Sequence, residues 1–248
     1  MTRETYPKRW GSYGFDAPHV LFFLVGGGVA VSTLALCARA HTAESLLVVL
    51  AAAACCLLAT AASYAYTTRY GKFRAWFRVL SDLGLRGDER VLDLGCGRGG
   101  VLLMVARMLP RGRAVGIDLW SRSDQSGNCE AATHRNAVLE GVGDRVELHT
   151  GDMRSLPFSD ETFDVVLSNL AIHNLGEPKD RERAIDEAIR VLKRSGRVAI
   201  ADLLHASEYA ERLSRRGLAD VTQRSLGPGC WFGGPWAATR IVMARRPG

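Results

Sequence analysis

The residues that could do chemistry in this chain gather around glycines. VLDLGCGRGG occupies residues 91–100, a short apolar run that breaks into a glycine-rich loop before another apolar stretch. Glycines at 95, 97 and 99 omit the Cβ atoms that would keep a ligand away from the backbone. Asp93 stands two positions before the first of them, so the loop suits a ligand with a cationic end. Two more carboxylates stand at the ends of strand-like runs: Asp118 closes VGID at 115–118, and Asp152 follows the run at 146–149 in GDM at 151–153. His173, in SNLAIHN at 168–174, is the candidate general base, with Asn174 beside it as a ligand contact. The polar stretch 120–128 offers Asp124, Gln125 and Asn128, as ligand contacts or as a solvated loop. Trp231, Phe232 and Trp236 mark an aromatic, glycine-rich loop able to line an apolar pocket, touch a membrane or simply pack.

Elements with the right periods surround these residues. Strand-like runs fall at 91–94, 114–119, 146–149, 163–168 and 197–201, and helical patterns at 100–109, about 129–140, 181–194 and 207–216. Ala184, Ile185, Ala188, Ile189 and Leu192 share one face of the third helix, and Gly196 stands soon after its expected end. Such alternation predicts a mostly parallel sheet with helices on both faces, whose ligands sit at the carboxyl ends of the strands. Two last strands, 221–226 and 239–244, have no helical pattern between them and should form an antiparallel hairpin.

The first quarter of the chain differs. Residues 20–38 and 45–66 carry no charge; the first run alone makes about 28 Å of helix, close to the thickness of a bilayer's hydrocarbon. A short polar turn, 39–44, separates them, which reads as a hairpin crossing a membrane twice. Arg3, Lys8 and Arg9 precede it, and Arg69, Lys72, Arg74 and Arg78 follow it, so the positive-inside rule puts both ends in the cytoplasm. Tyr64, Tyr66 and Tyr70 could lie near one interface, and Gly26, Gly27 and Gly28 allow close helix packing. A cleaved signal ending near Ala38-Arg39-Ala40 and a pair of buried soluble helices are the alternatives. After residue 72, Phe73, Trp76, Phe77 and Leu80 recur at helical spacing. The domain division expected is a membrane anchor at 1–68 and a catalytic part at 69–248.

Charge and cysteines exclude several classes. The net charge of +6 comes from 32 basic and 26 acidic residues spread along the chain, so no nucleic-acid partner is indicated. The six cysteines form no C-x-x-C pair and have no histidine cluster, so no metal site or disulfide framework is expected.

Three carboxylates at three strand ends would suit the ammonium, ribose and adenine of S-adenosylmethionine. The chain resembles the class I S-adenosylmethionine-dependent methyltransferases, and most closely the branch of ubiquinone and menaquinone biosynthesis methyltransferases. The resemblance covers roughly 73–246. It rests on VLDLGCGRGG, VGID, GDM, LPFSDETFDVVLSNLAIHN at 156–174 and RVLKRSGRVAIAD at 190–202. It implies an α/β fold: a Rossmann-like, mostly parallel seven-stranded sheet with a C-terminal antiparallel hairpin, here preceded by the transmembrane hairpin. It assigns Asp93, Gly95 and Gly97 to the methionine end, with Cys96 in the same cofactor loop, and Asp118 to the ribose. Asp152 and Met153 fall to the adenine, Leu119 packs on its ring, and Asn169 lies close to the cofactor. The glycines alone also fit a dinucleotide fingerprint, but Asp93 would sit poorly beside a pyrophosphate, and GDM has no role there. The hairpin points to a lipophilic methyl acceptor taken from membrane lipid, with Asp124, Gln125, Asn128, Asn174, Trp231 and Trp236 as candidate contacts. A small soluble acceptor such as a thiol and a non-catalytic cofactor-binding scaffold stay open.

Overall fold

The computed structural model describes residues 8–40 and 43–248; Arg3, counted above in the basic flank, lies outside them. Helix α1 spans Pro18–Ala38 and α2 spans Glu44–Tyr66. Pro18 sits in the first turn, where its missing N–H is no loss. The two helices pack on each other near Gly28, the only buried residue of α1, against Leu58. Their other flanks stay open: Phe22 and Phe23 are 74% and 70% exposed. Both are long and apolar enough to cross a membrane, and neither is covered as a soluble core helix would be.

The second apolar helix runs on past its expected end. A π-helical turn, Thr67–Gly71, joins it to α3, Lys72–Asp82, so that residues 44–82 form one helical run. The turn is held by a close approach. A Cβ on Gly71 would stand 1.6 Å from the Gly229 carbonyl oxygen, so only glycine lets the loop around 229 dock here. Ser63 Oγ and Thr67 Oγ1 donate to the Trp231 carbonyl at 3.1 and 2.8 Å. The helical spacing of Phe73, Trp76 and Leu80 is realised: all three are buried on α3.

Beyond α3 lies the alternating part: β1 Arg90–Leu94, α4 Leu102–Arg107, β2 Arg113–Asp118, α5 Glu130–Leu139, β3 Val146–Thr150, β4 Phe163–Asn169, α6 Pro178–Val191, β5 Leu192–Asp202, α7 Ala206–Arg215, β6 Ala219–Ser225 and β7 Arg240–Arg245. They build a seven-stranded sheet in the order β3-β2-β1-β4-β5-β7-β6. The first five strands are parallel, and β7 inserts antiparallel between β5 and β6. Side-chain alternation divides the core between the two faces. Val91, Ala114, Val165 and Ala199 face α3 and α4, whereas Leu92, Val115, Val166 and Val198 face α6 and α7. Strand order reverses between β1 and β4, which is where the fold opens a crevice.

The end of the third patterned helix also differs from the sequence expectation. The third patterned helix stops at Val191, before its expected end at 194, and Gly196 does not cap it. Leu192 is already extended, is 1% exposed and pairs with Phe163. Burying that leucine on the sheet ends the helix, and residues 193–196 form an irregularity ahead of the regular β4–β5 pairing.

Candidate active site

The carboxyl ends of β1, β2, β3, β4 and β5 surround one cavity of about 550 Å³. Its floor is the glycine loop. Gly95 has φ +69°, and a Cβ there would meet Ala171 Cβ at 2.3 Å, so a side chain is excluded both by conformation and by space. Gly95 N and Cys96 N donate to the Ile117 carbonyl at 2.9 and 3.2 Å, fastening the loop to β2. Asp118 is already oriented: Gly97 N and Trp120 N donate to its two oxygens at 2.7 and 2.5 Å, and Asn128 Nδ2 approaches at 3.2 Å.

Asp93 is the most constrained group. It is 2% exposed, and its Oδ1 has no hydrogen-bond partner among the described residues. Burial pushes its carboxyl up to about 8, a backbone hydrogen bond from Leu102 opposes the rise, and the charge of Asp118 adds to it. A buried acceptor without a donor beside a cavity is costly unless a ligand satisfies it. A cationic ligand group is the natural complement. Cys96 is a buried thiol: burial first, then the charges of Asp93 and Asp118, push it well above its usual value.

The opposite wall carries a second pairing. His173 Nδ1 lies against Asp202 Oδ1 at the end of β5. Asp202 is 1% exposed and also accepts from His173 N at 3.0 Å, Leu203 N at 2.8 Å and Tyr209 Oη at 3.2 Å. Burial alone would lower the imidazole, but the Asp202 carboxylate, helped by Asp124 and Asp16, raises it above its ordinary 6.5. A buried carboxylate placed this way can hold an imidazole in one tautomer, which is what proton transfer by a histidine requires. Trp76 Nε1 donates to Asn169 Oδ1 at 2.6 Å and fixes that amide at the end of β4. Arg154 grips Asp152 at 2.6 Å, and its hydrogen bonds hold the carboxyl below the usual range.

Chain similarity matches this geometry. Residues 92–200 match a family described as the methyltransferase domain. The ubiquinone/menaquinone biosynthesis C-methyltransferase of Roseobacter denitrificans is 29% identical over 133 residues, 53% of this chain and 50% of its own. The demethylmenaquinone methyltransferase of Thermotoga maritima is 33% identical over 136 residues, 54% of this chain and 53% of its own. The α/β part is thus similar to S-adenosylmethionine-dependent methyltransferases in sequence and fold. A methyltransferase from Aquifex aeolicus shares the fold, with TM-score 0.52 at 22% identity over 68% of this chain and 87% of its own. So does the geranyl diphosphate C-methyltransferase of Streptomyces coelicolor, with TM-score 0.55 at 19% identity over 70% and 79%. The chain spans about half or less of the length of the curated relatives it matches.

All nine residues that the resemblance assigns to the cofactor line the cavity: Asp93, Gly95, Cys96, Gly97, Asp118, Leu119, Asp152, Met153 and Asn169. His173, Asn174, Asp124, Gln125 and Asn128 line it as well. Trp231 and Trp236 do not. The carbonyl of Trp231 is committed to Ser63 and Thr67, Trp236 is 78% exposed on an outer turn, and Phe232 points inward in their place. The cavity also gathers residues that carried no site assignment from the sequence: Asp16, His19, Lys72 and Leu203, with Asp202 behind His173. Asp202 ends the RVAIAD run as Asp118 ends VGID, which is the one local signal that could have found it.

Proposed function

We propose that this chain is a membrane-anchored enzyme that transfers a methyl group from S-adenosylmethionine to a lipophilic small molecule: a quinone or phenolic ring, an isoprenoid or a lipid headgroup. One observation carries the reading. The cavity that holds the strand-end carboxylates is also lined by Ala17 and His19 at the foot of α1, Tyr64 at the foot of α2, and Phe232. The Tyr64 and Phe232 rings meet edge-on, 5.1 Å apart. An apolar acceptor could pass from a bilayer to the site along that aromatic edge. Relatives named for quinone and sterol methylation support the same class. Residues 1–68 act as the anchor, with spans at about 20–38 and 45–66, and 69–248 as the catalytic part. The basic residues on both flanks favour a cytoplasmic location for the two ends.

Bound S-adenosylmethionine supplies an electrophilic methyl on a sulfonium that departs as a neutral thioether. This chain's residues bind and position. Asp93 accepts from the cationic methionine end, Asp118 from the ribose, and Asp152 from the adenine beside Met153 and Leu119. Holding both reactants in line can supply most of the rate. Where the acceptor carries an acidic proton, His173 takes it and Asp202 stabilises the imidazolium. The test is methyl transfer from labelled cofactor to an organic extract of host membranes. Labelled lipid product, lost in Asp93→Ala, is expected. Label appearing only in water-soluble acceptors refutes the lipophilic reading, and cofactor binding without product from any extract refutes catalysis.

A further inference from the structure

The residues leading into α1 do not hang free but cross the mouth of the cofactor loop. Ser12 N donates to Asn136 Oδ1 at 2.9 Å, and Asn136 Nδ2 returns bonds to the carbonyls of Ser12 and Arg98 at 3.0 and 2.9 Å. Phe15 N donates to Ser126 Oγ at 2.8 Å, Ser126 N to the Phe15 carbonyl at 2.9 Å, and Ala17 N to the Asp124 carbonyl at 2.8 Å. Residues 12–17 therefore form a strap along the loop after β2, outside the segment matched by the methyltransferase family.

Asp16 is the point where this strap is tied. Lys72 Nζ, at the start of α3, donates to both of its carboxylate oxygens at 2.7 and 2.6 Å. The two side chains are 16% and 9% exposed. Gln125 Nε2 approaches the same carboxylate at 3.4 Å, while Gln125 Oε1 accepts from Arg98 N at 2.8 Å inside the glycine loop. The Asp16 carbonyl accepts from Tyr64 Oη at 2.9 Å, at the foot of α2. One residue thus connects both apolar helices, α3 and the cofactor loop, and its side chain lines the cavity.

We infer that Asp16 is a positioning residue of the cofactor site: its pair with Lys72 locks the strap over the glycine loop, so that tight retention of the cofactor requires the docked segment ahead of α1. The inference rests on the reading that this cavity binds S-adenosylmethionine. The physical cause is the low exposure of the pair. Removing one charge leaves the other buried without a partner, and the strap lifts to hydrate it. Gln125 then loses its second support, and the Arg98 amide its acceptor.

The test uses the full chain in detergent or nanodiscs and S-adenosylhomocysteine as probe. Asp16→Asn should release the probe faster by about tenfold, about 1.4 kcal/mol if carried entirely by affinity. Amides of residues 12–17 and 97–98 should exchange hydrogen faster, while those of β1 and β4 keep wild-type protection. Asp16→Glu, which restores the charge, should recover most of the retention. In a cycle with Lys72→Met, the two single effects should fail to add. Wild-type retention in Asp16→Asn overturns the inference, whether its strap amides stay protected or not. Absence of probe binding to the wild type overturns the cofactor reading itself, and the inference with it.

Discussion

Cofactor binding should expel a proton from Asp93. In the free protein burial holds this carboxyl up to about 8, against an ordinary 3.8, so at neutral pH it is mostly protonated. A cationic group placed at the unpartnered Oδ1 favours the carboxylate and brings the bound-state value down. At pH 7 binding then releases about 0.9 proton per site by linkage. The sign follows from which state holds more protons. The free protein does, so affinity rises with pH up to about 8 and levels off above it. Between pH 6 and pH 8 the dissociation constant of S-adenosylhomocysteine should fall by about fifty-fold, or ~2.3 kcal/mol. Calorimetric titration at pH 7 in two buffers of different ionisation heat reads the proton directly. Asp93→Asn should bind more weakly and lose the dependence, which also subtracts the ligand's own titration. Affinity that is flat from pH 6 to 8, with no buffer-dependent heat in the wild type, would refute the reasoning.

Three other outcomes follow from named contacts. With an ionisable acceptor, turnover should rise with pH through a histidine ionisation above 6.5, because only neutral His173 accepts a proton; Asp202→Asn should move that ionisation down and cut turnover by about 10²-fold or more. A pH–rate profile unchanged in that variant would remove His173 from the chemistry. Gly95→Ala should cost about 1–3 kcal/mol of stability for the positive φ alone, plus cofactor affinity from the clash with Ala171, measured by thermal unfolding with and without ligand. If residues 20–66 span a membrane, alkaline carbonate washing should leave the protein in the pellet, whereas release into the supernatant would sink the anchor.

The sequence by itself determined what is local and periodic. Apolar alternation fixes which strand residues face which core. The glycines of 95–99 announce a close approach to backbone, and Asp93, Asp118 and Asp152 stand at or just past the ends of strand-like runs. Two charge-free runs announce helices with open apolar flanks. Only the tertiary structure decided which distant residues meet. Lys72 reaches Asp16 across 56 positions, Trp76 reaches Asn169 across 93, and Asp202 meets His173 across 29. No spacing in the chain encodes these pairs, since each depends on where the sheet ends and the helical run bring their backbones. The same holds for the aromatic loop, where the docking of its backbone on Gly71, Ser63 and Thr67 turned Phe232 inward and left Trp236 outside. The glycine loop could be read as a binding site before folding. The tie between Asp16 and Lys72 beside it depends on the π turn after α2, which leads the chain into Lys72.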